Sequence, residues 1–195
     1  MAKREITRDD ILSLEDYEAV RSSRRASITA LKRHRRVTVG PDVTFYFENY
    51  DTMWHQIHEM LRIEKGGESQ IADELSAYNP LVPQGAELVA TMMIEIDDSV
   101  RRNRVLRQLG GIDETISLSV GGETIAAVPE DDVERTTDDG KTSSIHFLRF
   151  PLSAAQIDAF KTPGTRVVLS VGHSNYDHMA GLPEPVRAAL SEDFD

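Results

Sequence analysis

A run of strict alternation ending in two glycines constrains this chain more than any other feature. Ile116, Leu118 and Val120 alternate with Ser117 and Ser119, and Gly121-Gly122 follows at once. Period-two alternation is the pattern of a half-buried strand. Paired glycines supply the positive φ angles that a two-residue turn demands, so the chain must double back. The turn sets Leu118 opposite Ile125 and Ile116 opposite Ala127, apolar against apolar. Val37-Thr38-Val39, Gly40-Pro41-Asp42 and Val43-Thr44-Phe45-Tyr46-Phe47 predict a second hairpin, with Val43, Phe45 and Phe47 on one face. Glu87–Ile96, Ser143–Phe150 and Arg166–Val171 read as further strands. Val89, Thr91 and Met93 make the second face of Glu87–Ile96 only partly polar, which predicts a covering element.

Helix signals fall between the strands. Thr7 with Asp10 forms a capping box, and Ser13 with Asp16 offers a second start. Helix is expected from there to about Arg35, with a candidate break at Ser22-Ser23. Asp51 is the expected cap of a helix over Thr52–Lys65, ended by Gly66-Gly67, with its apolar stripe at Met53, Trp54, Ile57, Met60 and Leu61. Shorter helices are predicted over Gln70–Tyr78, from Asp97-Asp98 to Gly110-Gly111, over Ser153–Phe160 and over Pro183–Leu190. Pro129–Lys141 is acidic and reads as an exposed loop. Hairpins outnumber crossovers, so the fold class is α+β: a mostly antiparallel sheet of about seven strands with five or six helices packed on it.

The length of 195 residues fits a single domain over 1–195, with a basic helical segment at 7–36 and an α+β body at 37–195. Cysteine is absent, which removes disulfides and thiolate chemistry and fits a reducing cytoplasm. There is no apolar leader and no run long enough to span a bilayer, so a cytoplasmic location without membrane contact is expected. Residues 1–36 carry ten Lys/Arg and six Asp/Glu, whereas the rest carry twelve and twenty-seven. Between Arg21 and Arg36 there are seven basic residues and no acid. The acidic bulk makes a general nucleic-acid role a poor fit, but Arg33, Arg35 and Arg36 are candidates for an anion, a nucleic acid or an acidic partner.

The stretch from Phe45 to Thr91 sets Glu48, Asn49, Gln56, Glu59, Glu74, Asn79 and Glu87 among apolar residues. A polar group turned inward needs a partner, because leaving it unpaired costs about 1–3 kcal/mol. We read Glu48, Asn49, Gln56, Glu59, Asn79 and Glu87 as candidates for lining a pocket between the Thr52–Lys65 helix and the Glu87–Ile96 strand. His55, His58 and Glu59 share a helix face at three- and four-residue spacing, which admits a metal, though a solvated face explains it better. His173, Asp177 and His178 lie in what reads as a polar loop and are candidates for a site there, against simple turn chemistry. Arg24 falls on the stripe of Tyr17, Val20, Ile28 and Leu31; in an unbroken helix it would turn inward and seek Glu48, Glu59 or Glu87. No phosphate-binding glycine loop and no nucleophile elbow is present, and no cofactor or metal is expected.

Several segments in order complete the sequence picture: Leu31-Lys32-Arg33-His34-Arg35-Arg36, Phe47-Glu48-Asn49, Gln56-Ile57-His58-Glu59-Met60-Leu61-Arg62, Tyr78-Asn79-Pro80-Leu81-Val82-Pro83 and Glu87-Leu88-Val89-Ala90-Thr91. Together they resemble the uncharacterised bacterial family known as domain of unknown function 3501. The resemblance supplies no catalytic residues. It implies a link to peroxide defence or redox metabolism, in company with rubrerythrin-like and iron–sulfur enzymes. The chain lacks cysteine and the paired Glu-x-x-His motifs of a di-iron bundle. An accessory, partner-binding protein, with a redox enzyme as the candidate partner, is therefore the first expectation. A small-molecule-binding protein or enzyme is the second, and nucleic-acid or phosphate binding through the basic helix the third.

Overall fold

The structure is a computed structural model that describes residues 3–130, 135–137 and 140–195. Its strands are β1 (Arg36–Val39), β2 (Val43–Phe47), β3 (Glu87–Ile94), β4 (Ile116–Val120), β5 (Glu123–Ala126), β6 (Val128–Pro129), β7 (Ile145–Pro151), β8 (Val167–His173) and β9 (Tyr176–Gly181). Its helices are α1 (Leu14–Lys32), α2 (Tyr50–Glu64), α3 (Glu68–Tyr78), α4 (Ser99–Leu106), α5 (Ala154–Lys161) and α6 (Glu184–Ser191). The fold is α+β. Among the described residues the strands form two antiparallel sheets, ordered β1-β2-β3-β7-β6 and β5-β4-β8-β9.

The division into two sheets corrects the expectation of one sheet of about seven strands. Its cause lies where β5 passes into β6. The Ala127 amide donates to the Ile116 carbonyl on one sheet, and Val128 then pairs with Arg149 on the other. The main core fills the space between the sheets: Phe45, Phe47, Leu88, Met92, Leu148 and Phe150 on one side, Leu118, Leu169 and Val171 on the other. Leu118 pairs with Ile125, as the Gly121-Gly122 turn requires. Tyr176 closes the sheets at their β1–β9 border. Its hydroxyl donates to the Val39 carbonyl (2.7 Å) and accepts from the amides of Asp42 (2.9 Å) and Val43 (3.1 Å). Gly40 lies beneath it with φ +69°, and a Cβ there would stand 2.6 Å from the Tyr176 oxygen. Only glycine fits both the angle and the approach.

A second cluster lies on the outer face of the five-stranded sheet. Val89 meets Met53, Trp54 and Ile57 of α2 there, with Tyr17 of α1 and Leu81 beside them. Helix α2 is thus the cover that the half-polar face of β3 anticipates. Three local expectations change. The Thr7 box supports only one turn, Arg8–Asp10, and Ser13 caps the long helix, which runs through Ser22-Ser23 without a break. Asn49, not Asp51, caps α2. The supposed loop at Gly172–His178 is a hairpin, in which His173 pairs with Tyr176 and Val171 with His178. The expected loop Pro129–Lys141 lies partly outside the described residues; within them Thr136 bridges Thr142. No helix among the described residues is long and apolar enough to cross a membrane.

Candidate functional site

Strand β2 alternates, so Tyr46 and Glu48 leave the core face that Phe45 and Phe47 occupy and turn toward α2. The Glu48 amide donates to the Val89 carbonyl (2.8 Å), which fixes its backbone against β3. Its carboxylate is only 6 % exposed. One oxygen accepts the Thr52 hydroxyl (2.7 Å) and the other the Thr91 hydroxyl (2.8 Å). Among the described residues no lysine, arginine or histidine pairs with it. The positive end of the α2 dipole, one residue along the chain, favours a negative charge at this place. Glu48 lines a cleft of about 330 Å³ between α2 and the outer sheet face. Met53 and Gln56 supply one wall, Thr91, Met93 and Phe147 the other, and Lys32 is also on the lining.

The remaining pocket candidates do not all converge there. Gln56 shares the cleft with Glu48. Asn49 is spent on the α2 cap: its side-chain oxygen accepts from the Thr52 amide (3.0 Å), and the Thr52 hydroxyl accepts from the Asn49 amide (2.9 Å). Asn79 holds the N-terminal segment by accepting from the Ile6 amide (2.8 Å) and donating to the Ile6 carbonyl (2.9 Å). Glu87 accepts from Arg149 (2.8 Å), and Glu74 from Gln70 (2.9 Å). Glu59 lies on the α1 side of α2. Arg21 donates to both of its oxygens (2.8 Å each) and the Tyr17 hydroxyl to one (2.7 Å). The Arg21 fork holds the Glu59 carboxyl at about 2, while burial and the Glu59 contact push the Tyr17 hydroxyl up.

The histidines beside Glu59 serve structure. The Tyr17 proton belongs to Glu59, so His55 Nδ1, 3.1 Å away, is the donor to the tyrosine oxygen. His58 Nε2 accepts from the Leu12 amide (3.0 Å), and its Nδ1–H donates to the Trp54 carbonyl (2.7 Å). Burial pushes both imidazoles below their ordinary value. Among the described residues no three His, Asp or Glu stand together as a metal site. Arg24 is a correction: α1 is unbroken, yet Arg24 is exposed and stacks over Trp54 (4.8 Å), and it is Arg21 that meets a carboxylate.

The basic candidates also separate. Arg35 is buried against Asp193 and donates to the carbonyls of Phe47 and Glu48 (3.0 Å each), so it is not available to an external anion. Arg36 covers the Tyr46 ring (5.7 Å), and Arg33 is exposed on α1. His173 accepts from the Asn175 amide (3.1 Å) and donates to the Gly110 carbonyl (3.2 Å), tying the β8–β9 turn to the turn that follows α4. Asp177 and His178 are exposed on the edge strand β9, with His178 against the Tyr176 ring (4.5 Å).

A family model described as a protein of unknown function (DUF3501) matches residues 5–194. The chain belongs to this family. A crystal structure of a novel protein of unknown function from Burkholderia pseudomallei is similar to it: 39% identity, TM-score 0.90, covering 97% of this chain and 99% of that one. No curated protein matches.

One polar chain in this DUF3501 member escaped sequence reasoning. Asp113 stands 3.4 Å from His146 Nδ1, and His146 Nε2 lies 3.1 Å from the Thr142 hydroxyl. His146 holds the Asp113 carboxyl below its usual value. The order of acid, imidazole and hydroxyl is that of a nucleophilic relay. Thr142 and His146 are 2% and 1% exposed, however, and no described cavity reaches them, so the chain braces β7. Its signal was available: His146 shares the inward face of β7 with Leu148 and Phe150. Arg35 and Asp193 also line a cavity, but they pair with each other. Among the described residues Glu48 is the buried charged side chain that lines a cleft without an ion-pair partner.

Proposed function

We propose that this DUF3501 protein binds a small organic ligand in the cleft between α2 and β3, with Glu48 as the group that recognises it. One observation carries the reading: a carboxylate nine-tenths buried, held only by hydroxyls, on the lining of a mostly apolar cleft. Small-molecule sites commonly combine apolar walls with a few fixed polar groups, at volumes of roughly 300–1,000 Å³. A thermal-shift screen with metabolites tests it, since ligand at 100 times its dissociation constant stabilises by about 2.7 kcal/mol. Hits abolished by Met93→Trp, which fills the cleft, support the reading. Flat curves throughout, or hits indifferent to that substitution, defeat it.

A second reading has its own support. Arg25 and Arg33 line an open face along α1, with Ala26, Thr29 and Ala30 between them and Glu18 and the Glu59-bound Arg21 also on it. An acidic protein partner fits that surface by charge. Salt should weaken such a contact, and Arg25→Glu with Arg33→Glu should abolish it. A complex unaffected by either removes this surface from the contact. A redox enzyme as that partner, and a cytoplasmic setting for both readings, rest on the family resemblance and on the lack of cysteine alone.

A further inference from the structure

Resting on the cleft reading, we infer that the ligand is a monoamine: an organic ammonium on a small apolar or aromatic body. The argument starts from how the chain treats its buried acids. Asp42, Glu48, Glu74 and Asp193 are all less than 9 % exposed. Asp42 has Arg101 (2.7 Å) and Asp193 has Arg35. Glu74 has the Gln70 amide and lines no described cavity. Glu48 alone of the four lacks a nitrogen donor among the described residues and lines a cleft. A carboxylate offers about four lone-pair sites. Two hydroxyls leave the others open, and a buried charge without a counter-charge is costly. A ligand ammonium supplies both donors and charge.

The walls select the same chemistry. Tyr46, Tyr78 and Phe147 line the cleft with aromatic rings, of which Tyr46 already carries Arg36 (5.7 Å) and Phe147 carries Arg135 (4.9 Å), and Met53 and Met93 present polarisable sulfur. Aromatic faces attract cations through their quadrupole. A ligand anion set against Glu48 would meet like charge in a desolvated setting, and Lys32 is the one cation on the described lining to receive an anionic group. A metal ion would find one carboxylate, and among the described residues the cleft lining holds no second acid and no histidine. Lys32 on the lining disfavours a second ammonium in the cleft, so a monoamine or an amine that also carries a carboxylate fits better than a diamine.

Isothermal titration calorimetry on the full chain tests this with phenethylamine, 2-phenylethanol and 3-phenylpropanoate, which share a skeleton and differ in charge. The amine should bind at least about 10-fold more tightly than the alcohol, the propanoate least, as a charge-assisted hydrogen bond requires. Glu48→Gln should erase that preference, and Met93→Trp should erase binding of all three. Should Glu48→Gln fail to fold, Gln56→Ala and the wild-type order of the three probes decide. If alcohol or propanoate equals the amine while Met93→Trp still blocks them, the ammonium class is wrong and the cleft stands. If none binds, or the amine binds regardless of Met93→Trp, both the class and the cleft fall.

Discussion

Glu48 and Glu59 lie on opposite sides of α2, and they meet very different company. Glu59 faces α1, where Arg21 grips both oxygens and Tyr17 donates to one. Every strong donor in reach is committed, and the group ties two helices together. Glu48 faces the sheet, where Thr52 and Thr91 offer one hydroxyl each and a cleft opens beside it. An acid with a bidentate arginine has little left to offer a ligand. An acid held by hydroxyls keeps its charge uncompensated and part of its hydrogen-bonding capacity unused. Burial alone would have ranked Glu48 as the more structural of the two; the identity of the partners reverses that order.

That contrast is sharpest where a buried acid loses its arginine. Arg35→Ala leaves Asp193 unpaired in the interior and should cost about 3–5 kcal/mol in urea unfolding. A loss below about 1 kcal/mol would undo the claim that ion-paired acids here are structural. Glu59→Gln comes next, at roughly 1–2 kcal/mol, because its pair with Arg21 is one-fifth exposed and partly screened.

Acid should act on the α1 side of α2 first. Burial holds His55 and His58 below the ordinary imidazole value of 6.5. The unfolded chain therefore takes up protons before the folded one. Their contribution is complete above pH 6.5 and declines as the pH falls below it. Glu59, held at about 2 against an ordinary 4.5, adds a second loss that begins as the pH falls through 4.5 and ends near its folded value. The melting temperature should drop between about pH 7 and pH 5. A level profile across that window would remove the histidines from the account.

Glu48→Gln should cost under about 1 kcal/mol, since the amide can still meet both threonine hydroxyls. If it proves more costly than Glu59→Gln, the two acids have been assigned the wrong roles. Smallest is Arg24→Ala, at roughly 0.5–1 kcal/mol, the worth of an exposed cation over an indole. A loss of several kcal/mol would restore the buried ion pair that its place on the helical stripe suggests.

The sequence was most legible where structure is local. Ser13, Asp98 and Ser153 cap helices as their positions foretell. The register of Leu118 on Ile125 follows from two glycines. The polar stretch before and within α2 did contain Glu48 and Gln56, the two polar pocket candidates that share the cleft. Legibility failed where partners come from far along the chain. Arg21 and Arg24 are three residues apart on one helix, and only the way α1 lies on α2 decides which of them reaches Glu59. The Gly172–His178 stretch reads as a polar loop because β9 is an edge strand with exposed side chains, and apolar alternation is what marks a strand.

By itself, then, the amino-acid order determined the class of fold, the β1–β2 and β4–β5 hairpins, most of the helix starts and the polar enrichment of the central third. Tertiary structure alone decided that the strands split into two sheets, that Arg35 is buried, and that Glu48 rather than Glu59 faces open space. The physical reason is range. Turn angles and caps depend on neighbours within a few residues, whereas the counter-charge of a buried acid depends on which distant elements pack beside it.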